Sequence, residues 1–290
     1  TSSSEMLLGK EILSHLVGRI SVLKMYPFSL PEFLLVKEEK EPSAMMIKRA
    51  VWEHALYGGY PKVLLTTDLE LKKIILHDLY ETMILKDIAK TFSINDIKSL
   101  EECSRYFALN IGAIVSYDSI ANTLKLSFQT IKKYFDAMEK SYLILRLVPF
   151  FSNKNKEISK QPKLYFIDTG LRNSIANNFP LELDGKLFEN YIVSELVKAG
   201  FMPKYWRTKT SAEVDLILEI NNKIIPLEIK LSAEKVEHSL HSFIEAYKPK
   251  QGFVVFYQGV ESEKNVLGCK VSFVDAKRLL EKLNALSIEK

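Results

Sequence analysis

The strongest indication of chemistry in this sequence is a set of two carboxylates and a lysine, Asp215, Glu228 and Lys230, in the C-terminal third. Carboxylate oxygens suit Mg²⁺ or Mn²⁺, which complete their coordination with water and substrate phosphate. An ion held here would activate water and stabilise the charge that develops when a phosphodiester is cleaved. Lys230 would orient that water or help deprotonate it, or would act as a positive stabiliser, and the sequence leaves these roles open.

A predicted hairpin brings these residues together. The strand-like runs 212–220 and 223–230 flank Asn221-Asn222, and a two-residue Asn turn is typical of a hairpin. The predicted register aligns three cross-strand pairs, namely Ile220 with Lys223, Asp215 with Glu228, and Glu213 with Lys230.

Side chains alternate between the two faces of a strand, so one face of this hairpin is predicted to be wholly apolar and to lie on the core. That face consists of Val214, Leu216, Leu218, Ile220, Ile225, Leu227 and Ile229. Asp215, Glu228 and Lys230 share the other face. Two opposed carboxylates repel each other, and a divalent cation between them would remove the repulsion.

Glu189 is a further candidate, on a helix predicted over 186–199. Its helical neighbours Ile192, Val193 and Leu196 are apolar, so its side chain points to the packed side, where an unpaired carboxylate is costly. We therefore expect Glu189 to bind the metal or its waters, as a third metal ligand beside Asp215 and Glu228. All three carboxylates and Lys230 are predicted catalytic residues.

Two alternatives stay open. Glu189 forms a buried salt bridge with Lys230 or Arg207, or the hairpin is an ordinary one in which Glu213 and Lys230 make a surface ion pair.

The elements around the hairpin predict an α/β unit from Gly185 onward. Its predicted helices are 186–199, 236–247 and 275–286, and its predicted strands are 204–207, 212–220, 223–230, 252–257 and 270–274.

Upstream, three short helices are followed by two strand-like runs, which is the layout of a winged helix-turn-helix. The predicted helices are 100–109, 117–124 and 128–140, and the strand-like runs are 143–151 and 163–167, separated by the polar stretch 152–156.

A DNA-contacting face is predicted on this unit. In the third helix Phe128, Ile131, Phe135 and Met138 face the core, whereas Gln129, Lys132, Lys133 and Asp136 point outward. The predicted DNA-binding residues are Gln129, Lys132, Lys133, Lys154 and Lys156. Residues 91–165 hold 11 Lys and Arg against 7 Asp and Glu, and a basic segment suits nucleic acid. The alternatives are a protein-docking or domain-coupling unit and a solvated basic surface.

The first part of the chain is predicted to be mainly helical. A helix is expected over 6–16, a connecting segment over 27–33, and a helical linker over 44–92 that is broken at 58–61, where two glycines and a proline force a turn.

Composition bounds the class of protein. The chain has 290 residues, of which 47% are hydrophobic, enough for two or three packed modules. Its longest apolar stretch, 143–151, is far too short to cross a bilayer. The two cysteines, Cys103 and Cys269, can form neither a disulfide framework nor a zinc cluster, and no signal-peptide pattern opens the sequence. We expect a cytoplasmic protein, with its oligomeric state left open.

The chain resembles the C-terminal portion of archaeal and bacterial AAA-type ATPases that carry an appended domain of unknown function with a PD-(D/E)XK nuclease fold. The stretches that carry the resemblance are LVGR at 16–19, PFSLPEF at 27–33, GGYP at 58–61, PKLYFIDTGL at 162–171, GKLFEN at 185–190, YWR at 205–207, EVD at 213–215 and IPLEIK at 225–230.

The resemblance implies an α+β or α/β multidomain chain. Its predicted parts are the tail of an AAA ATPase core over 1–36, a helical linker over 37–92, a winged helix-turn-helix over 93–168 and a PD-(D/E)XK restriction-endonuclease-like α/β domain over 169–290. No phosphate-binding G-x-x-x-x-G-K-[ST] run occurs in the sequence, so ATP is not expected to bind this chain alone. The ATPase core is then missing by truncation, lost in the natural gene, or supplied elsewhere.

Three functions follow as hypotheses: a metal-dependent DNA endonuclease, a non-catalytic DNA-binding or regulatory module of the ATPase, and a protein-interaction scaffold. Fold analogy alone does not separate them.

Overall fold

The computed structural model of the chain describes residues 23–38, 41–151, 157, 160–208, 212–232 and 235–288. The predicted helix over 6–16 lies outside these residues, as do Lys154 and Lys156. Helices and a sheet are combined in one mixed architecture, and no helix within the described ranges is long and apolar enough to cross a membrane.

The first part of the chain is helical, as predicted. Its elements are α1 (Leu30–Val36), α2 (Ala44–Tyr57), α3 (Pro61–Leu65), α4 (Leu69–Leu79), a π-helical turn (Tyr80–Leu85) and α5 (Lys86–Thr91). The segment 27–33, expected to be a connection, contains the start of α1, which was not predicted. Glu32 accepts a hydrogen bond from the backbone N–H of Ser29 at 2.8 Å, which fixes the start of this helix.

The predicted break at 58–61 is confirmed. Gly58 has φ +74, and a Cβ there would lie 2.0 Å from Oδ1 of Asp168. That carboxylate accepts hydrogen bonds from the backbone N–H groups of Gly59 and Leu171, both at 2.8 Å. The glycines therefore allow Asp168 to contact the turn after α2. Asp168 also caps the N-terminus of helix α9 (Thr169–Ala176), so it connects the two elements.

Three helices and a hairpin follow, again as predicted. They are α6 (Ile97–Leu109), α7 (Tyr117–Leu124), α8 (Phe128–Lys140), β1 (Ile144–Leu147) and β2 (Lys163–Phe166). The two strands pair antiparallel, and Ile114, in the segment between α6 and α7, forms a further antiparallel bridge with Lys163. The predicted strand over 143–151 is shorter in the structure.

The remaining elements form a six-stranded sheet with helices. They are α10 (Gly185–Lys198), β3 (Lys204–Arg207), β4 (Glu213–Ile220), β5 (Lys223–Ser232), α11 (His238–Tyr247), β6 (Gln251–Gln258), β7 (Ser262–Val266), β8 (Cys269–Val274) and α12 (Ala276–Ile288). The strand order is β3-β4-β5-β6-β8-β7, with β5, β6 and β8 parallel and the other neighbours antiparallel. Helix α9 and strand β7 were not predicted.

The predicted hairpin register is confirmed from Ile220–Lys223 to Leu216–Leu227. Asn221 and Asn222 have φ values of 48 and 60, the left-handed pair that a tight two-residue hairpin turn requires. Turn chemistry alone was therefore sufficient to set this register.

The prediction of a single apolar face is wrong in two respects. The pairing of β3 with β4 shifts register between Lys204 and Trp206, and this irregularity places Val214 in the same cluster as Ile217, away from Leu216. That second face is also packed, because α11 covers it with Leu240, Phe243 and Ile244. The sheet therefore has a core on each side.

Candidate metal site

The carboxylates lie where the pairing of β4 with β5 ends. The backbone ladder stops at Leu216–Leu227, so the predicted direct pairing does not continue to Asp215 and Glu228 or to Glu213 and Lys230. In its place the Asp215 side chain accepts a hydrogen bond from the backbone N–H of Ile229 at 2.7 Å. Asp215 is thus fixed beside β5 by its carboxylate.

Glu228 is the most unusual polar group of the site. Glu228 is only 2% exposed, and its Oε1 lies 3.1 Å from Nζ of Lys230. Its Oε2 is buried without a hydrogen-bond partner among the described residues. Burial raises the pKa of this carboxyl group, against the lowering effect of Lys230. An unpartnered buried carboxylate oxygen is costly unless a cation or water meets it.

Asp215 and Glu228 influence each other electrostatically. Burial raises the pKa of Asp215 to about 8, and the charges of Glu228 and Glu189 add to that rise, while Ile229 N–H and Lys230 oppose it. Burial and the neighbouring carboxylates therefore disfavour the charged form of Asp215 in the ion-free protein, and a bound cation would favour it.

Lys230 is half-buried beside this pair. Burial lowers its pKa, but Glu228 and Asp215 outweigh burial, so the pKa is raised overall and the side chain is a cation at neutral pH. The alternative of a Glu213–Lys230 ion pair is wrong, because Lys230 pairs with Glu228.

Glu189 enters the site from α10, held by two residues of β2. Tyr165 donates its hydroxyl hydrogen to Oε1 of Glu189, and Nζ of Lys163 lies 3.4 Å from the same oxygen. Neither Lys230 nor Arg207 is its ion-pair partner in the described part of the chain, so that alternative is wrong in its partners.

Lys163 also contacts Glu213, which lies two residues before Asp215 on β4. Sequence reasoning missed both Lys163 and Tyr165. The signal was present in the strand-like run 163–167, because strand alternation puts these two polar side chains on one face.

The donors of this site fit a hard divalent ion that takes few protein ligands. Within the described ranges no group of three Asp, Glu, His or Cys side chains could hold a metal as it stands. Mg²⁺ commonly binds through one or two carboxylates and keeps several waters. Asp215 and Glu228, with the unpartnered Oε2, suit that chemistry, and ligation by Glu189 stays a prediction.

The predicted DNA-contacting residues of α8 are all on its outer surface. Gln129, Lys132 and Lys133 are exposed, while Ile131, Phe135 and Met138 are buried. Nζ of Lys133 donates to the Ser93 carbonyl at 3.2 Å. DNA contact by these side chains stays a prediction.

Two expectations for α8 need correction. Phe128 is 39% exposed and packs edge-on against Tyr117, so it closes the rim of the helical core instead of entering it. Asp136 is half-buried in an ion pair with Nη2 of Arg146 at 2.7 Å. Of the four side chains predicted to point outward, Gln129, Lys132 and Lys133 are exposed.

These features define a protein of mixed helix and sheet that carries a carboxylate–lysine site on a six-stranded mixed sheet. A family described as "Domain of unknown function (DUF8612)" matches residues 48–182, and one described as "Domain of unknown function (DUF4143)" matches residues 184–270.

Relatives occur in bacteria and archaea. An uncharacterized protein of Haemophilus influenzae is 27% identical over 249 residues, which cover 84% of this chain and 61% of that protein. An uncharacterized protein of Methanocaldococcus jannaschii is 31% identical over 267 residues, covering 86% and 58%. One of Mycobacterium tuberculosis is 31% identical over 141 residues, covering 45% and 32%. The chain spans about three-fifths of the length of the first two relatives.

Proposed function

We propose that this chain hydrolyses phosphodiesters in DNA with a Mg²⁺ or Mn²⁺ ion at a site of the PD-(D/E)XK kind. The observation that carries the proposal is the buried, unpartnered Oε2 of Glu228 beside Asp215, whose pKa is raised. A divalent ion would satisfy that oxygen and lower the carboxylate repulsion together.

Each residue of the site then has a defined task. Asp215 and Glu228 hold the ion, which supplies water activation and charge stabilisation when bound. Lys230, 3.1 Å from Oε1 of Glu228, places its ammonium group where it orients the attacking water or stabilises the charge on phosphate. Glu189, anchored by Tyr165, completes the acidic side of the site.

The upstream unit is proposed to place the duplex as a winged helix-turn-helix. Its order supports the proposal, with α6, a short extended segment that bridges β2 at Ile114, then α7, α8 and the β1–β2 hairpin. The exposed side chains of Gln129, Lys132 and Lys133 on α8 are the proposed contacts to DNA.

The chain is further proposed to act as the C-terminal part of a longer AAA-type ATPase. Support comes from the coverage of about three-fifths of the relatives' length, which leaves room for another unit in those proteins. ATP is then bound by that other unit, because this sequence has no phosphate-binding loop of its own.

Cleavage of plasmid and branched DNA with Mg²⁺ or Mn²⁺ tests the catalytic proposal. We expect nicking or cutting that chelator abolishes, and that falls by at least about a hundredfold in Asp215→Ala and in Lys230→Ala. Lys264→Ala, on the edge strand β7, is the matched surface control and should retain activity. Cleavage that survives both site substitutions would exclude this site.

A second candidate, a non-catalytic DNA-binding module, is favoured by one observation. Glu189 is already neutralised in part by Lys163, as in a structural ion pair. This candidate predicts DNA binding that weakens steeply with increasing salt and is unchanged by chelator. The double substitution Lys132→Glu and Lys133→Glu should reduce this binding. Binding that is unaffected by the double substitution would reject the α8 face for either function.

A further inference from the structure

Lys163 is a buried lysine inside an acidic cluster, and it lies on the β1–β2 hairpin, which precedes the six-stranded sheet in the sequence. Lys163 is 4% exposed. Its Nζ contacts Glu213 and lies 3.4 Å from Oε1 of Glu189. Glu213 and Glu189 belong to β4 and α10, so one ammonium group links two of the three elements that carry the acidic site.

The backbone of Lys163 is paired on both sides. Lys163 pairs with Leu147 in the β1–β2 hairpin and bridges Ile114 on its other side. Its Nζ also lies 5.6 Å from the ring centroid of Tyr205. The side chain is thus buried from a fixed backbone, with its ammonium group beside Glu189 and Glu213.

The hairpin is itself fastened to α10. The carboxamide of Asn190 donates to the Phe166 carbonyl at 2.7 Å and accepts from the Phe166 N–H at 2.9 Å, and the Ser194 hydroxyl donates to the Ile167 carbonyl. Three successive residues of the β2 region, from Tyr165 to Ile167, thus each bond a side chain of α10.

We propose that Lys163 is a built-in counter-cation of the candidate metal site, which neutralises Glu189 and Glu213 in the ion-free protein and limits how tightly a divalent ion binds beside them. The inference rests on the proposed metal site. A fixed positive charge next to the ion opposes its binding, whereas it stabilises the carboxylates when no ion is present. Lys163 is therefore a positioning residue that tunes affinity without contacting substrate.

Calorimetric Mn²⁺ titration of the full chain tests the proposal. We expect Lys163→Met to bind Mn²⁺ about tenfold more tightly than wild type, and Lys163→Arg to retain wild-type affinity. The same Lys163→Met variant should be less heat-stable without ion and should gain more stability from Mn²⁺ than wild type does.

The matched control is Lys204→Met. Lys204 is also a largely buried lysine between two carboxylates, with Nζ 2.9 Å from Glu157 and 2.6 Å from Glu219. Lys204→Met should lower the stability of the protein and leave its Mn²⁺ affinity unchanged. Glu213→Gln gives a second measurement in case Lys163→Met does not fold, because the ammonium charge is then shared by fewer carboxylates and Mn²⁺ should bind several-fold more weakly.

The outcomes separate this inference from the proposed function. Unchanged or weaker Mn²⁺ binding by folded Lys163→Met, or unchanged binding by Glu213→Gln, overturns the counter-cation role while the metal site stands. If wild type binds no Mn²⁺, the metal site and the counter-cation role are both overturned.

Discussion

The side-chain amide of Asn190 pairs with both backbone groups of Phe166, as a neighbouring strand would, at 2.9 and 2.7 Å. Both residues are fully buried. This contact aligns α10 with β2, so that Glu189, the residue before Asn190, meets Tyr165, the residue before Phe166. The two sequence stretches GKLFEN and KLYFIDTGL therefore contact each other, and the position of Glu189 depends on this contact.

Asn190→Ala should destabilise the protein by about 2–4 kcal/mol, because it leaves the buried N–H and C=O of Phe166 without partners. Urea denaturation measures the loss. Asn284→Ala, on the exposed side of α12, is the control and should change stability by less than about 0.5 kcal/mol. Equal effects of the two substitutions would contradict the role assigned to Asn190.

Gly170→Ala should destabilise by about 3 kcal/mol or more, because a Cβ at this position would lie 2.1 Å from the backbone carbon of Tyr57. The backbone of Tyr57 cannot move aside as a flexible side chain could. Gly185→Ala is the matched control, since a Cβ there has no heavy atom within 4 Å. Thermal unfolding of both variants gives the comparison, and a tolerated Gly170→Ala would refute the close approach of α9 to the end of α2.

The raised pKa of Asp215 predicts how the stability of the ion-free protein depends on pH. A carboxyl group whose folded pKa is raised to about 8 favours the folded state at low pH, and this contribution is lost as pH rises from about 4 towards 8. Asp215→Asn retains the oxygen that accepts from Ile229 N–H and carries no charge. It should be more stable than wild type at pH 8 by about 1–2 kcal/mol, with little gain at pH 4.

Urea denaturation in chelator at several pH values checks this prediction. Asp136→Asn is the control, because Asp136 is paired with Arg146 and its substitution should not stabilise the protein. A destabilised Asp215→Asn at pH 8 would show that the Asp215 charge is favourable without an ion.

Local signals in the sequence were enough for most helices and for the hairpin. Asn221-Asn222 determined the β4–β5 register because a two-residue turn fixes which residues of the two strands pair. Ser29 and Glu32 formed a recognisable capping pair, so α1 was predictable and was missed. Strand β7 had no usable signal, because Ser262–Val266 is almost wholly exposed at a sheet edge.

The composition of the site depended on contacts that no local pattern reports. The irregularity between Lys204 and Trp206, which moved Val214 to the opposite face, arises in the pairing of β3 with β4. Lys163 reaches Glu213 across 50 positions of sequence, through the packing of the hairpin on the sheet. The carboxylates of the acidic site and Lys230 were therefore predictable, whereas the second counter-charge, Lys163, was not.

The central claim, that Asp215 and Glu228 hold a divalent ion, is tested most directly by calorimetric titration of the full chain with Mn²⁺ at pH 8. We predict that wild type binds one ion per chain and that binding weakens as pH falls, because the carboxyl groups take up protons. Asp215→Asn should bind at least about tenfold more weakly. Absence of binding by wild type, or equal binding by Asp215→Asn, would contradict the claim.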